Sequence, residues 1–314
     1  MNKLAVVAFG GNALLRCDQK GTIDEQEANA YITSNQLLTL IKKDYDLVIT
    51  HGNGPQVGNI LLANSAGAIL HGLPDMPIDV SVAYSQGFIG YVIEQQLRNV
   101  LNVNNINRDI ITVVTQVLVD KDDPAFKNPT KPVGPFYSSE EAERIASETN
   151  SVFKADPRGR GFRKVVASPQ PLSVFNIKII EKLARTHEIV IAVGGGGIPV
   201  FEVDENKFQG TNAVIDKDLA SALLAVGINA DEFYILTDVP KACLYYNTLQ
   251  PTSIDRMSVK EARQYIEEGH FADGSMRPKV KAAVYFTTQT GRDSLITCAE
   301  LLGSDNEGTR ITKS

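Results

Sequence analysis

Short apolar segments alternate with longer amphipathic segments along most of this 314-residue chain, and this alternation most restricts the possible fold. Short segments that end beside Gly, Asn or Asp are typical of parallel strands buried on both faces. Apolar residues three and four apart in the longer segments indicate amphipathic helices. The pattern therefore predicts an α/β fold with a mainly parallel sheet covered on both sides. The clearest strands are Leu4–Phe9, Leu47–Thr50, Ile110–Val119, Ile189–Val193 and Phe233–Thr237, and the clearest helices are Asp24–Lys42, Val80–Val100, Leu219–Val226 and Val280–Thr288.

The segment from Asp120 to Arg163 interrupts the alternation. It is rich in Pro, Gly and charged residues, and its one helical stretch has capping residues at Ser138 and Glu141. Such a segment predicts a small insertion that leaves the core and lies near the substrate site. Asp120, Asp122 and Asp123 precede a proline in this insertion, and we interpret them as turn and cap residues rather than as metal ligands.

Composition excludes some classes of partner. A formal net charge of −6 argues against a generally basic surface for nucleic acid or acidic membranes. We expect neither a membrane span nor a secretory leader, because no apolar run is long enough and the first strand has no cleavage site after it. Cys17, Cys243 and Cys298 are scattered and odd in number, which indicates a reducing compartment, by default the cytoplasm.

Three glycine-rich turns follow predicted strands. They are AFGGN at Ala8–Asn12, THGNGPQVG at Thr50–Gly58, and VGGGGIP at Val193–Pro199, which contains Gly195 and Gly196. In a parallel sheet such turns lie where the carboxyl ends of strands open a crevice for ligands. Glycine lets backbone N–H groups approach an anion, so the three turns predict a site for a phosphate chain. The signatures of P-loop enzymes, dinucleotide-binding folds and protein kinases do not match.

Two lysines stand where helices are expected to begin. Lys217 lies between Asp216 and Asp218 in AVIDKDLA, and Lys279 follows Pro278 at another helix start. A lysine is unfavourable beside the positive end of a helix unless it shares an anion with the backbone amides. We predict that the two lysines compensate the charge of a moving phosphoryl group, with Asp216 orienting them. The alternative is two solvent-exposed lysines.

Taken together, these segments resemble the amino acid kinase family over nearly the whole chain. The matching motifs are GGNA at Gly10–Ala13, HGNGPQVG at His51–Gly58, SQGFIGY at Ser85–Tyr91, DPAFKNPTKPVGPFY at Asp123–Tyr137, GGGGIP at Gly194–Pro199, AVIDKDLA at Ala213–Ala220, LTDV at Leu236–Val239 and GHFADGSMRPK at Gly269–Lys279. The NPTKP insertion is the most diagnostic piece, because it marks one group within the family. The glycine turns alone indicate only the family.

The resemblance implies a three-layer αβα sandwich around a mainly parallel sheet of about eight strands, with a small protruding insertion. It implies an amino-terminal lobe, residues 1–205, that binds the small substrate and includes the insertion at about residues 120–163. Residues 206–314 would form the nucleotide-binding lobe. The implied reaction is reversible phosphoryl transfer between carbamoyl phosphate and ADP, giving carbamate and ATP, often during arginine breakdown. Relatives of this group are usually homodimers and use Mg²⁺ bound through the nucleotide phosphates.

Family roles can be carried over to matching positions. Lys217 and Lys279 match the phosphate-binding lysines, Asp216 the residue that organises them, and Lys131 the insertion lysine that closes over carbamoyl phosphate. The resemblance assigns Gly10, Gly11 and Asn12 to the transferred phosphoryl group and Gly52, Asn53 and Gly54 to the carbamate side. It assigns Thr237, Asp238, Val239, Ser275 and Met276 to the nucleotide.

The chemistry implied for the site needs no strong general base, because carbamate is already an anion able to attack phosphorus. His51 is the one candidate base in the glycine turns, and we interpret it as a structural hydrogen-bonding residue. Three positions depart from the family pattern: Lys281, Pro240 and Phe162. They bear on nucleotide affinity and on packing of the insertion rather than on phosphate transfer.

Two other functions stay open at the level of sequence. One is a family phosphotransferase acting on acetylglutamate or another acid, whose pocket needs arginine or asparagine side chains for a second carboxylate. The other is a non-catalytic, nucleotide-binding regulator with the same fold. The NPTKP insertion disfavours the first, and the intact lysines and first glycine turn disfavour the second.

Overall fold

The computed structural model describes residues 2–10, 14–16, 19–149, 151–156, 159–205, 207–246, 250–304 and 307–314. The α-helices in these residues are α1 (Ile23–Ile41), α2 (Gly54–His71), α3 (Ile78–Val103), α4 (Ser139–Thr149), α5 (Ile177–Arg185), α6 (Lys217–Gly227), α7 (Val259–Glu267) and α8 (Met276–Thr290). The strands are β1 (Leu4–Phe9), β2 (Asp46–His51), β3 (Ile110–Thr112), β4 (Gln116–Val119), β5 (Lys131–Tyr137), β6 (Val152–Ala155), β7 (Phe162–Val166), β8 (Pro171–Val174), β9 (Ile189–Ile191), β10 (Ile198–Asp204), β11 (Lys207–Gly210), β12 (Glu232–Thr237), β13 (Cys243–Leu244), β14 (Thr252–Ser253), β15 (Arg256–Ser258), β16 (Ser294–Cys298) and β17 (Thr309–Thr312).

The central sheet has eight strands in the order β15-β17-β16-β12-β1-β2-β9-β3. From β16 to β3 every neighbouring pair is parallel. At the other edge β17 runs antiparallel to β16 and parallel to β15. This arrangement confirms the predicted α/β class with a mainly parallel sheet.

Helices cover both faces of the sheet, and β1 shows why. All six of its residues are buried, with Leu4, Val6 and Ala8 in one apolar cluster and the alternate residues in another. Side chains of α1 and α3 contribute to the second cluster, whereas side chains of α5, α6 and α8 contribute to the first. Since successive strand residues point to opposite faces, a strand apolar at every position needs a helix layer on each side.

The predicted strand Ile110–Val119 is wrong, because the structure divides it into two strands in different sheets. After β3 the chain turns away from the central sheet, and the Thr115 hydroxyl donates to the Val113 carbonyl at 2.7 Å. Strand β4 then joins a second sheet with the order β11-β10-β4-β8. The continuous run from Ile110 to Val119 gives no sign in the sequence that the chain passes from one sheet to the other.

The insertion carries more structure than the sequence indicated. Beside the expected helix α4, strands β5, β7 and β6 form a three-stranded antiparallel sheet. This sheet rests on α2, where a Cβ at Gly58 would lie only 2.7 Å from the Gly134 Cα. The Arg163 guanidinium donates to the Gly134 carbonyl from Nε and Nη2, at 3.2 and 2.8 Å. Backbone contact therefore fixes the insertion beside the second glycine turn.

Several helix ends carry local capping residues, among them the Ser138 and Glu141 pair predicted from the sequence. Ser258 and Glu261 form a capping box at α7, and Ser138 and Glu141 make the reciprocal bonds before α4. Pro55 lies in the first turn of α2, and Gly291 ends α8 in the left-handed conformation. These local signals place helix ends well because they depend on neighbouring residues alone.

Candidate active site

The three glycine turns meet at one edge of the central sheet. They follow β1, β2 and β9, which are adjacent in the sheet, and β12 ends on the other side of β1. Gly10 lies close to β12, since a Cβ there would be 2.9 Å from the Leu236 carbonyl oxygen. Gly11 and Asn12, also predicted to bind the phosphoryl group, lie outside the described residues. The carboxyl ends of these four neighbouring strands therefore lie side by side, which is where a parallel sheet places its ligand site.

The second and third turns are packed against each other. A Cβ on Gly194 would overlap the His51 ring, and one on Gly195 would overlap the Asn53 side chain. The Asn53 side chain is buried and donates to the Ser85 hydroxyl of α3 at 2.9 Å. The third turn has positive φ angles at Gly195, Gly196 and Gly197, a conformation that glycine adopts without strain. Glycine is required here both for backbone conformation and for close approach.

One buried carboxylate, that of Asp218, joins the two predicted lysines. Lys217 Nζ lies 2.5 Å from Asp218 Oδ1, and Lys279 Nζ lies 3.0 Å from Asp218 Oδ2. The lysine side chains are only 13% and 12% exposed. The two ammonium groups, one from α6 and one from α8, therefore converge, and the interpretation of two exposed lysines is wrong.

The pKa values of this trio follow from burial and mutual attraction. Burial lowers the pKa of Lys217 despite the attraction of Asp218, and the charge of Lys279 lowers it further. Burial also acts against Lys279, but the attraction of Asp218 and neighbouring aspartates outweighs it, so its pKa is raised. Burial alone would raise the pKa of Asp218, yet the two lysines hold it well below its usual value. Asp218 is thus a carboxylate, and Lys279 an ammonium, at neutral pH.

Asp216 has a different direct partner from the one expected. Its Oδ1 accepts from the Asp218 amide at 2.9 Å and caps α6, while its Oδ2 accepts from Lys131 Nζ at 2.7 Å. The insertion lysine is therefore brought to the start of the helix that carries Lys217. Asp218, rather than Asp216, makes the hydrogen bonds to Lys217 and Lys279.

His51 lies at the end of β2 beside these charges. Its Nδ1 lies 2.9 Å from the Gly52 carbonyl oxygen, to which it donates as the neutral tautomer. Burial, opposed by this bond and assisted by the charge of Lys217, lowers the pKa of His51 to about 4. The ring is therefore neutral at pH 7, as suits a structural hydrogen-bonding residue.

The residues predicted to bind nucleotide lie near the lysines but are more open. Thr237 ends β12, followed by Asp238 and Val239, and the exposed Asp238 raises the pKa of Lys279 by its charge. Ser275 and Met276 stand at the start of α8, one turn before Lys279. Among the departures from the family pattern, Lys281 is exposed on α8 and Phe162 pairs with Tyr137 inside the insertion.

The residues that the structure describes contain neither a metal-ligand cluster nor a membrane-spanning helix. Within them, no group of three or more His, Cys, Asp or Glu side chains could hold a metal ion. Asp123 instead caps a short 3₁₀ helix through the Ala125 amide, and Asp120 accepts from the Asp122 amide, in agreement with turn and cap roles. No described helix combines the length and apolar character needed to cross a bilayer.

Sequence reasoning missed three side chains that build this site. Asp218 was seen only as a flanking aspartate, although its place in the first turn of α6 beside Lys217 was visible in AVIDKDLA. Ser85 lies within the SQGFIGY motif, but nothing in one sequence indicates that it meets Asn53. Thr115, whose hydroxyl accepts from the Val193 amide before the third glycine turn, falls within the predicted strand Ile110–Val119.

Comparisons with known proteins agree with the observed fold. A profile described as the amino acid kinase family matches residues 3–298. The chain is 50% identical to a carbamate kinase of Pyrococcus horikoshii over 94% of each chain, and 46% identical to one of Trichomonas vaginalis over 98% of each. A solved structure of carbamate kinase from Giardia lamblia bound to AMP-PNP is 42% identical, with a TM-score of 0.92, over 100% of this chain and 99% of that one.

The sheet, the glycine turns and this profile define the class: the chain belongs to the amino acid kinase family. The chain is also similar to several carbamate kinases over nearly its whole length. Within the family the chain is an enzyme of the carbamate kinase type.

Proposed function

We propose that the enzyme transfers a phosphoryl group reversibly between carbamoyl phosphate and ADP, giving carbamate and ATP. The observation that carries this proposal is the convergence of Lys217 and Lys279 on the single buried carboxylate of Asp218. Two ammonium groups held at one point compensate negative charge on a phosphoryl group between donor and acceptor.

Asp218 serves as the fixed counter-charge that keeps the two lysines in place. When substrate phosphates enter, each ammonium group has further N–H donors that can reach the phosphate oxygens while Asp218 stays behind them. Asp216 fixes the start of α6 and receives Lys131, so it organises the site through the helix and the insertion.

Positioning replaces general-base catalysis in this proposal. Carbamate attacks phosphorus as an anion, so no proton has to be removed from the nucleophile. His51 donates to the Gly52 carbonyl and lies against Gly194, which supports a role in holding two glycine turns together. The backbone of Gly10, Gly11 and Asn12 is assigned to the phosphoryl group, and Gly52, Asn53, Gly54, Gly195 and Gly196 to the substrate side.

The nucleotide is proposed to bind beside Thr237, Asp238 and Val239, with Ser275 and Met276 flanking it. The AMP-PNP complex of the Giardia lamblia relative supports an adenine nucleotide as substrate. Mg²⁺ is proposed to arrive with the nucleotide, held mainly by phosphate oxygens and water, where it adds positive charge. The donor set suits this arrangement, because the oxygens of Asp216 and Asp218 already accept from lysines and backbone amides.

We further propose that residues 1–205 bind the small substrate and residues 206–314 the nucleotide. The insertion at about 120–163 acts as a cover that brings Lys131 over carbamoyl phosphate. The ion pair between Lys131 and Asp216 supports this role, because it brings the Lys131 side chain to the start of α6. Location in the cytoplasm remains a prediction.

A homodimer is also proposed. Strand β3 lies at an edge of the central sheet, and exposed apolar side chains surround that edge: Tyr91, Ile111 and Val114. Helix α2 contains no Asp, Glu, Lys or Arg, and only Gln56, Val57 and Gly58 are buried in it. An open strand edge and uncovered apolar surface both favour association with a second copy.

A coupled assay for ATP formed from ADP and carbamoyl phosphate tests the main proposal, with ATP plus acetylglutamate as the contrasting pair. We expect ATP formation that depends on Mg²⁺ and no turnover of acetylglutamate. Turnover of acetylglutamate alone would assign the enzyme to a different acid substrate. Nucleotide binding without turnover of either pair would favour a regulator.

A further inference from the structure

A buried polar network lies behind the third glycine turn, apart from the lysines and aspartates of the site. Its two side chains are Gln86 of α3, which is 2% exposed, and Thr115, which is fully buried between β3 and β4. Neither side chain reaches toward solvent. Buried polar groups of this kind persist where their hydrogen bonds fix a particular arrangement.

The Gln86 amide joins three segments of the chain. Its Nε2 donates to the carbonyl oxygens of Thr115 at 3.1 Å and Gly194 at 2.9 Å. Its Oε1 accepts from the Thr115 amide at 2.8 Å. Both N–H donors and the carbonyl oxygen are thus engaged, so neither a carboxylate nor an apolar side chain could replace the amide.

The Thr115 hydroxyl holds the start of the same turn. It accepts from the Val193 amide at 3.1 Å and donates to the Val113 carbonyl at 2.7 Å. Val193 has φ of 54°, in the left-handed region that β-branched residues rarely adopt. A valine stays in such a conformation only where its surroundings impose it.

The turn held in this way spaces the two sides of the site. Gly194 touches His51, Gly195 touches Asn53, and a Cβ on Gly196 would overlap the carbonyl of Ile215, one residue before Asp216. The turn, called the wedge below, therefore lies between the second glycine turn, which is assigned to carbamate, and the start of α6, which carries Lys217. A shift of the wedge would change the distance over which the phosphoryl group moves.

We propose that Gln86 and Thr115 are positioning residues for phosphoryl transfer, because they lock the third glycine turn in its left-handed conformation. They act through the turn and touch no substrate. This inference rests on the phosphoryl transfer proposed for the enzyme. It predicts that loss of these hydrogen bonds lowers kcat, since geometry at the reacting atoms is disturbed, while ADP affinity is retained.

A matched pair of variants at Thr115 tests this. Thr115→Val removes the hydroxyl and keeps the shape, whereas Thr115→Ser keeps the hydroxyl. For Thr115→Val we expect kcat about 10- to 100-fold lower with the ADP dissociation constant unchanged, and for Thr115→Ser a kcat close to that of the wild type. Wild-type kcat in Thr115→Val, or an equal loss in both variants, would overturn the proposal.

Gln86→Glu gives an independent test should Thr115→Val fail to fold. A protonated carboxyl can donate one hydrogen bond to the two facing carbonyls, and a carboxylate can donate none. A buried carboxyl such as the one introduced here ionises at roughly pH 6 to 9. We therefore expect the ratio of variant to wild-type kcat to fall as pH rises through this range. A constant ratio near one would refute a positioning role. The wild type is assayed in parallel, so its inactivity would instead count against the proposed reaction.

Discussion

Lys279 and Lys281 lie two residues apart on α8 and differ in their surroundings. The Lys279 side chain is only 12% exposed and forms an ion pair with Asp218, whereas Lys281 is exposed. We predict that Lys279→Ala lowers kcat for ATP formation by on the order of 10²-fold or more, because charge compensation of the phosphoryl group is lost. Lys281→Ala serves as the control and should keep near-normal kcat. Similar losses in the two variants would contradict the assignment of Lys279 to the reaction.

His51 is expected to make stability depend on pH. Its pKa is 6.5 as a free group and about 4 in the folded protein, chiefly because of burial. The unfolded chain therefore takes up the proton first as pH falls, so stability is full above pH 6.5 and is lost progressively toward pH 4. This difference corresponds to about 3 kcal/mol.

Urea unfolding of the wild type and His51→Gln at pH 7 and pH 4.5 measures this contribution. Other carboxyl groups titrate in both proteins, so the comparison between the two isolates the histidine. The wild type should lose about 2 to 3 kcal/mol more than the variant over this interval. Equal losses would show that the histidine ring is not held neutral by burial.

At the scale of elements, α3 is fitted closely to β3. A Cβ on Gly90 would overlap the Thr112 side chain, whereas a Cβ on Gly87, one turn earlier in the same helix, would meet nothing within 4 Å. We predict that Gly90→Ala destabilises the protein by about 1–3 kcal/mol through overpacking. Gly87→Ala should leave stability unchanged or raise it by up to about 1 kcal/mol. Thermal unfolding of both variants checks the contrast.

Elements with local signals could be predicted from the sequence, and elements defined by distant partners could not. The helix predicted at Asp24–Lys42 is observed at Ile23–Ile41, and its end is set by neighbouring residues. The division of Ile110–Val119 depends on pairing of β4 with β10, about 80 residues away, and on the Thr115 hydroxyl bond to Val193. Likewise, the sheet in the insertion forms from short, half-exposed strands without a clear alternating pattern.

At the scale of the whole molecule, the convergence of the site was only partly predictable. Three glycine turns could be placed at one edge because a parallel sheet brings the carboxyl ends of its strands together. Asp218 and Asp216 have different partners because two elements approach the start of α6. Helix α8 brings Lys279 to Asp218, and the insertion brings Lys131 to Asp216. That approach is a property of tertiary packing, which one sequence does not show.

The proposed dimer is tested by mass in solution. Ile111 lies at the open edge strand β3 and is 40% exposed, while Ile179 is an exposed isoleucine of α5. We expect light scattering after gel filtration to give about twice the chain mass of the wild type, and Ile111→Lys to shift it toward the monomer because a buried charge opposes association. Ile179→Lys should behave as the wild type. A monomeric wild type would refute the dimer.

The pairing of β1 with β12 has a consequence for how the chain can be divided. These strands lie on opposite sides of the proposed domain boundary at residue 206. They are nevertheless hydrogen-bonded neighbours in the central sheet, with Ala5 beside Glu232 and Ala8 beside Ile235. Two fragments divided at this boundary would each expose an apolar strand with unpaired backbone hydrogen-bonding groups. The strand is β1 in one fragment and β12 in the other. We therefore expect such fragments to reassociate or precipitate rather than persist as two autonomous proteins.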